Sequence, residues 1–390
     1  MGVLEYPRKD FSAMGSRTIF IPRQKPFYRI LKYIRTFKIS LILLAISAIL
    51  LLLIRVLPAT FIESIYSRNI FRKISYLSGL ISRHLPFSLA GIILWGLSAT
   101  VALAILALPV LLFIYPQRLK LVGIYLRVTA ALLALILLLF TLTCAPNYYR
   151  LTFADQSGLV IRASSVSELE ALCNELIEKT NAARLLVNEI DKPFSELSQK
   201  ALEAFNMLDA DYPFLGKALG SPKPMLFSEI LSIFNLTGFY FPYTAEANVN
   251  VHMPPAEMAF TACHELAHTC GFMREDEANF IGYLACLKSS DINLQYSGLY
   301  VALMQSMNAL YRADSQRYFA LREKYSPALA NDMAAIHQYW VKYYNTPASK
   351  ASNTINDTYL KANNLADGTQ SYGRMVDLLL AQYRQSHGLT

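Results

Sequence analysis

The residues with the clearest chemical potential lie in the stretch CHELAHTCGFMREDEAN, from Cys263 to Asn279. His264 and His268 are four positions apart, so in an α-helix both imidazoles leave the same face. Two imidazoles one turn apart can hold one metal ion, and Glu265 beside the first can reach water on the ion's open side. The spacing matches the H-E-x-x-H arrangement of zinc hydrolases. It predicts one Zn²⁺, held by the two histidines, and Glu265 as the catalytic base.

The alternative interpretation is a helix that carries two hydrogen-bonded histidines with no metal. The chain has 6 His and 16 Glu among 390 residues. Random placement would produce about 0.004 patterns of this kind, so chance is a poor explanation for the motif.

A helix, a turn and a second helix are predicted around the motif. Pro254 or Pro255 fits the first turn of the first helix, and Gly271 fits the position just after its end. A second helix beginning near Glu275 would return alongside the first. Its first-turn carboxylates could then face the histidines and supply the third protein ligand that a catalytic zinc usually has.

Three acids compete for the role of third ligand: Glu275, Asp276 and Glu277. Glu277 is the predicted ligand because apolar residues follow it at helical spacing, which indicates that it points inward. Those residues are Phe280, Ile281 and Leu284. Glu275 is the next candidate, and acids at a helix start also commonly serve the helix dipole. Asn279 could orient a ligand or cap a neighbouring carbonyl.

Further candidates follow from residue type alone. A developing oxyanion needs a hydrogen-bond donor or a cation. The candidates are Tyr296, Tyr359, Tyr372, Arg374 and His337. The segment Ala247–Val251 alternates in polarity and predicts an edge strand that could pair with an extended substrate. The predicted substrate or transition-state contacts are Asn248, Asn250, Tyr296 and Tyr372, and His252 is a weaker candidate for the cleft.

The first part of the chain is unusually apolar. The whole sequence is 54% hydrophobic and 16% charged, against roughly a quarter charged in soluble proteins. Three apolar runs, Ile39–Leu57, Phe87–Tyr115 and Leu121–Cys144, approach or exceed the ~20 residues that cross a bilayer as a helix. They predict a basic tail over residues 1–38, a three-helix transmembrane region over 39–144 and a globular domain over 150–390. A cleaved signal peptide is the alternative for the first run, but its leading segment is too long.

Charge predicts the orientation. Residues 1–150 hold 18 Lys and Arg against 3 Asp and Glu, whereas residues 151–390 hold 18 against 25. The positive-inside rule keeps the dense basic tail in the cytoplasm, and three spans then place the globular domain outside. The loop between the first two spans is also basic, which weakens this prediction. The basic residues flank apolar runs, so lipid rather than nucleic acid is the expected partner.

The globular part predicts a mainly α fold with a small sheet. Ser165 and Glu168 form a capping box before one helix, and Phe194 begins a second. Helices are predicted from residue 290 to about 344, then a polar loop from Asn345 and a terminal helix from Tyr372. The five cysteines have no framework spacing, which argues against a disulfide scaffold.

HELAH followed by EDEANF resembles the zincin superfamily in its glutamate-ligand branch. This resemblance implies Glu277 as the third zinc ligand and a zincin-like α+β domain. The whole chain is also similar to an uncharacterised bacterial membrane family, domain of unknown function 3810, over most of residues 40–385. The segments that carry this similarity are NYYR, GFYFPYTAEANVN, HELAH, EDEANF, YSG, NDTYLKAN and SYGRMVDLLL. The similarity implies a peptidase-like fold in the bacterial cytoplasmic membrane and leaves the substrate open.

The function predicted from these features is a membrane-anchored zinc metallopeptidase that acts on a peptide or protein. A zinc-binding structural or sensory protein without turnover is the alternative, and a domain that only binds a partner is a third. An intramembrane protease is disfavoured because charged residues closely bracket the motif. The oligomeric state stays open.

Overall fold

The structure is a computed structural model that describes residues 37–187, 193–366 and 368–389. Most of the predicted basic tail lies outside the described residues, as does the side chain of Tyr372. The fold is mainly helical, with a small three-stranded sheet, as the sequence predicts.

Three helices are long and apolar enough to cross a membrane. They are α1 (Lys38–Val56), α3 (Leu89–Ile114) and α4 (Arg118–Thr143). α1 packs along α4, whereas α3 contacts α4 at few points. Their outer surfaces are apolar side chains such as Leu52 and Leu133, each more than half exposed, as lipid-facing residues would be. The three predicted apolar runs are therefore confirmed as helices of spanning length.

The connection from α1 to α3 is helical and lies against the globular domain. It consists of a helical turn Ala59–Phe61, a π-helix Ile62–Phe71 and α2 (Arg72–Ser82). Ser82 Oγ donates to the main-chain oxygen of Thr244 at 2.7 Å. The connection and the globular domain therefore lie on the same side of the three helices.

The N-terminus of α3 is held directly by the sheet. The carboxylate of Glu246 accepts from the main-chain N–H groups of Leu89 and Ala90 at 2.9 and 2.7 Å. A carboxylate stabilises a helix N-terminus because it complements the unpaired N–H groups and the helix dipole. Ser88 Oγ also donates to Asn248 Oδ1 at 2.6 Å. One membrane helix thus begins on the sheet beside the candidate site.

The globular part is built from helices around the sheet. Its helices are α5 (Phe153–Ser157), α6 (Val166–Leu186), α7 (Phe194–Met207), α8 (Ser228–Ile233), α9 (Pro255–Thr269), α10 (Glu275–Lys288), α11 (Ile292–Ala313), α12 (Ser315–Arg322), α13 (Pro327–Val341), α14 (Pro347–Ala362) and α15 (Met375–Ser386). Three 3₁₀ segments complete it, Ala145–Tyr149, Leu208–Ala210 and Gly368–Arg374. The strands are β1 (Lys223–Pro224), β2 (Gly238–Phe241) and β3 (Glu246–Val249).

The sheet order is β1-β3-β2, with β1 parallel and β2 antiparallel to β3. The prediction that the strand over Ala247–Val251 is an edge strand was wrong, because β3 pairs on both sides. The edge strands are β1 and β2 instead. Periodicity shows that a strand exists but not its neighbours, since pairing depends on distant segments.

The segment from Asn345, predicted to be a polar loop, forms α14. Thr346 caps it by accepting from the N–H of Ser349 at 3.1 Å, and Pro347 occupies its first position. Leu360 is fully buried on its inner face. A few buried contacts were enough to make a helix of a polar sequence, since tertiary packing overrides weak propensity.

Candidate metal centre

The two helices of the motif form as the sequence predicts. α9 begins with Pro255 and ends at Thr269, Gly271 has a left-handed φ of 88°, and α10 begins at Glu275. The N–H of Phe272 donates back to the main-chain oxygen of Ala267 at 3.1 Å. Glycine relieves the strain of a positive φ, so the chain reverses within a few residues and α10 packs alongside α9.

Three ligand atoms converge at this reversal. His264 Nε2 and His268 Nε2 are 3.1 Å apart, and Glu275 Oε2 lies 3.3 Å from the first and 3.7 Å from the second. A tetrahedral Zn²⁺ at 2.0–2.1 Å from each ligand would separate the ligand atoms by about 3.3 Å. The residues therefore fit a zinc ion by donor type and by spacing, and they form a cluster able to hold a metal.

A hydrogen bond orients His268, and close helix packing positions the main chain of His264. His268 Nδ1 donates to the main-chain oxygen of Phe272 at 2.7 Å, which leaves its Nε2 lone pair for a metal. A Cβ on Gly282 would lie 3.1 Å from the main-chain nitrogen of His264, so glycine permits the close approach of α10 to α9. The buried Nδ1 of His264 has no hydrogen-bond partner among the described residues.

The electrostatics of the cluster match a cation site. Burial disfavours charge on His268, but the carboxylate of Glu275 outweighs it and raises the pKa of His268 to about 9. Burial would likewise raise the pKa of Glu275, yet the two histidines hold it well below its ordinary value. The carboxylates of Glu275 and Glu265 thus favour a positive charge, either a proton or a metal ion, at the point where the three atoms meet.

Glu265 lies beside the cluster without joining it. It is 3% exposed, and burial raises the pKa of its carboxyl to about 7, although the two histidines oppose the rise. A Cβ on Gly238 would lie 2.7 Å from Glu265 Oε1, so β2 runs directly past this carboxylate. One Glu265 oxygen has no hydrogen-bond partner among the described residues, and the residue lines the same cleft as the histidines.

Glu277 does not meet the histidines, and the prediction that it is the third ligand gives way to Glu275. Its Oε1 accepts from the main-chain N–H of Phe153 at 3.1 Å and lies 3.7 Å from Arg274 Nε. The apolar spacing correctly indicates that Glu277 is buried. However, two residues turn an α-helix by about 200°, so Glu277 and Glu275 point to opposite sides.

Glu275, Asn279 and Gly282 lie at positions i, i+4 and i+7, on the face of α10 toward α9. Asn279 lines the cleft, and Gly282 touches His264. Asp276 is directed elsewhere, with its carboxylate 3.4 Å from Arg374 Nε. Gly282, two helical turns after Glu275 on the same face, was the sequence signal that this face of α10 packs against α9.

Several predicted contacts are structural instead. Asn248 accepts from Ser88, and the amide of Asn250 donates to Ser232 Oγ at 2.9 Å. Tyr296 donates to Asp332 Oδ2 at 2.6 Å. None of these three lines the cleft, and each is buried by its neighbours.

Of the remaining candidates whose side chains the structure describes, one lines the cleft and three lie elsewhere. Tyr359 lines the cleft, while the ring of His252 contacts the hydroxyl of Tyr339 at 2.8 Å and His337 is exposed on α13. Arg374 lies by Asp276, and the side chain of Tyr372 is outside the described residues.

The cleft encloses about 780 Å³ between the motif helices, β2 and α14. Aromatic residues that the sequence analysis missed line it, among them Tyr148 and Tyr240. Burial raises the pKa of the Tyr148 and Tyr359 hydroxyls well above the ordinary value, and the charge of Glu275 adds to the effect. Both therefore stay protonated as hydrogen-bond donors. Tyr148, Tyr240 and Tyr359 belong to three separate elements, so their positions in the sequence form no recognisable motif.

The free edge of β2 borders the cleft. Hydrogen-bonded pairs alternate along antiparallel strands. Because Asn250 donates to the oxygen of Thr237, the alternate residues Gly238 and Tyr240 turn their main-chain groups away from β3. Tyr240 also lies near the motif, with its ring centroid 6.4 Å from that of His268.

A buried ion pair contacts the turn between α9 and α10. Arg150 Nε and Nη2 donate to the carboxylate of Glu63 at 2.7 and 2.8 Å. The same guanidinium lies 3.9 Å from the ring centroid of Phe272 and donates to the main-chain oxygen of Cys270 at 3.3 Å. Arg150 follows the last membrane helix and Glu63 follows the first. The turn beside the candidate metal centre is thus connected, through Arg150 and Glu63, to the segments that follow the first and third apolar helices.

Fold and site together define a mainly helical protein with three helices able to cross a membrane and a buried His–His–Glu cluster at its globular end. The chain belongs to the family described as "Protein of unknown function (DUF3810)", whose model matches residues 66–380. No curated protein and no solved structure matches the chain. The family membership predicted from the sequence is confirmed.

Proposed function

We propose that the protein is a membrane-anchored, zinc-dependent metallopeptidase. The observation that carries the proposal is the convergence of His264, His268 and Glu275 within 3.1–3.7 Å, with the buried carboxylate of Glu265 beside them. A structural zinc site uses four protein ligands, whereas a catalytic one leaves a position open. Three converging ligands and an adjacent free carboxylate in a cleft of about 780 Å³ favour the catalytic kind.

Each residue has a defined part in peptide hydrolysis. His264, His268 and Glu275 would hold Zn²⁺, which when bound acts as a Lewis acid and activates water. Glu265 takes a proton from the attacking water and passes it to the leaving amine. The outward main-chain groups of Gly238 and Tyr240 on β2 pair with an extended peptide and place its carbonyl over Glu265.

The oxyanion needs a donor, and tyrosine hydroxyls in the cleft provide one. Tyr148 and Tyr359 line the same cleft as Glu275, and their hydroxyls are 2.8 Å apart. They replace Tyr296, which is engaged with Asp332, as the proposed transition-state contacts.

Metal removal tests this proposal. The purified full-length protein is expected to bind about one Zn²⁺ and to cut members of a mixed peptide library. Treatment with a chelator should abolish cleavage, and added Zn²⁺ should restore it. Cleavage is followed by mass spectrometry of the products, and zinc content by elemental analysis. Zinc bound without any cleavage would instead favour a structural or sensory zinc protein.

We further propose that the globular domain lies outside the cytoplasm. The connection between α1 and α3 must share a side with the globular domain, because the two are in contact. Two of its basic residues contact that domain: Arg68 donates to Gln156 Oε1 at 2.8 Å, and Arg72 donates to the main-chain oxygen of Phe214 at 3.3 Å. The nine Lys and Arg of residues 1–38 then decide the orientation, and they favour a cytoplasmic tail.

Cysteine labelling tests the orientation, since the five native cysteines are free and buried. Lys217→Cys places a thiol on the globular surface, and Gln117→Cys places one in the turn between α3 and α4. In intact cells an impermeant maleimide should label the first variant and label the second only after lysis. The reverse pattern would place the domain in the cytoplasm.

A further inference from the structure

The cleft that contains the candidate metal centre begins where the third membrane helix ends. Phe140, in the last turn of α4, and Cys144, just beyond it, line the same cleft as His264 and Glu275. A membrane helix thus forms part of the cleft wall. A substrate bound in this cleft lies against the end of a lipid-embedded element.

The tip of the β2–β3 hairpin reaches along α4 toward the lipid. Tyr243, which also lines the cleft, donates its hydroxyl to the main-chain oxygen of Ile136 at 3.2 Å. Ile136 lies seven residues before the end of α4 at Thr143, roughly 10 Å along a helix axis. Tyrosines prefer this level, where hydrocarbon meets headgroups. A bilayer surface at this level would place the rim of the cleft at Tyr243 against the lipid headgroups.

Aromatic side chains connect α4 to the interior of the cleft that holds the candidate metal ligands. The ring of Tyr359 lies 5.9 Å from that of Phe140 and 6.1 Å from that of Tyr148. Tyr148 and Tyr359 line the same cleft as Glu275. Two ring-to-ring steps of this size correspond to about four residues of an extended chain, which advances ~3.3 Å per residue. A chain that leaves the lipid at α4 would therefore enter this cleft within a few residues.

The two sides of the cleft differ in polarity. The side toward α4 is aromatic, with Phe140, Tyr243 and Tyr359, the last from the C-terminal part of α14. The N-terminal part of α14 and α11 contribute amide and hydroxyl groups through Ser352, Asn353 and Gln305. Such a cleft suits a chain that is apolar at one end and polar at the other. Side-chain amides and hydroxyls can bind a peptide backbone, because they both donate and accept hydrogen bonds.

The charges of the cleft favour a polypeptide over a phospholipid. Among the described residues that line it, the charged side chains are Glu257, Glu265 and Glu275, and none is Lys or Arg. Phosphate groups are bound mainly by cationic side chains and by helix N-termini. Apart from the proposed metal ion, the described lining of this cleft therefore offers a phosphate headgroup no Lys or Arg to bind it.

We propose that the substrates are polypeptides that are themselves anchored in the membrane, and that they are cut close to the point where the chain leaves the lipid. This inference rests on the proposed metallopeptidase function. In the reaction the peptide C–N bond breaks, and water supplies hydroxide to the carbonyl carbon and a proton to the leaving amine. The products are a carboxylate on one fragment and an amine on the other.

The test compares anchored and soluble versions of one library. The full-length protein with Zn²⁺ is reconstituted in phosphatidylethanolamine–phosphatidylglycerol vesicles. It is given a randomised 20-residue segment, either free or joined to a transmembrane helix of Leu and Ala. Mass spectrometry locates each cut relative to the end of the anchor, and the Glu265→Gln protein supplies the blank.

The anchored library should be cut at least tenfold faster, with cuts within about eight residues of the anchor. A control library carries ten Gly and Ser residues between the anchor and the randomised segment. It distinguishes cutting at a fixed distance from the lipid from faster cutting that results only from a higher substrate concentration at the membrane. The cuts should stay near the anchor and not move outward with the segment. Cuts that move with the segment, or equal rates for both libraries, would overturn this inference while leaving the metallopeptidase function standing. No zinc-dependent cut in either library would overturn both.

Discussion

The Glu265→Gln variant is expected to lose peptide cleavage by a factor of about 10²–10⁴, the usual contribution of a general base, while it keeps its zinc. Glutamine has almost the same shape as glutamate but cannot accept the proton of the attacking water. Glu265 lies beside the three converging ligand atoms and is not one of them, so the substitution leaves the metal ligands in place.

The measurement pairs initial rates of cleavage with zinc content for the same preparation. Glu178→Gln is the matched control, because Glu178 lies on the exposed face of α6. The control should match the unmodified protein in both readouts. Full activity in Glu265→Gln would mean that this carboxylate takes no part in catalysis. Loss of zinc in that variant would mean that the carboxylate helps to hold the ion.

The Glu275→Gln variant is expected to lose zinc, and Glu277→Gln is its matched control. Glu275 Oε2 lies 3.3 and 3.7 Å from the two histidine nitrogens, whereas Glu277 accepts from the N–H of Phe153. Removal of groups that merely support a ligand already weakens metal affinity by 10–100-fold. Loss of a ligating carboxylate should therefore weaken zinc affinity by about 100-fold or more, and Glu277→Gln should leave it within a few fold.

Zinc titration and thermal unfolding give independent readouts of this pair. A ligand at 100 times its Kd stabilises the folded state by about 2.7 kcal/mol, so zinc should raise the melting temperature of the unmodified protein and of Glu277→Gln. It should have little effect on Glu275→Gln at the same concentration. Zinc retained by Glu275→Gln and lost by Glu277→Gln would restore the assignment made from the sequence.

Features that depend on neighbouring residues could be predicted from the sequence. The spans follow from runs of apolar residues about as long as a bilayer is thick. The pairing of His264 with His268 follows from the helical repeat, and the turn follows from Gly271. The capping box of Ser165 and Glu168 is present as predicted.

Features that depend on how elements meet could not be predicted. Glu275 and Glu277 are both first-turn acids of α10, and both are buried or nearly so. Which of them reaches the histidines depends on the face that α10 presents to α9, and the contact at Gly282 decides it. Likewise, β3 became the central strand because Lys223–Pro224, more than twenty residues away, pairs with it.

The sequence by itself determined which residues are available: two histidines and a glutamate on one helix, a second helix rich in acids, and three apolar segments ahead of them. Those properties are local, since a helical repeat or an apolar run is complete within about twenty residues. The tertiary structure alone decided that Glu275 meets the histidines, that the edge strand β2 borders the cleft, and that the cleft opens at the end of α4. Each of these is a contact between segments far apart in the chain, and such contacts exist only once the core has packed.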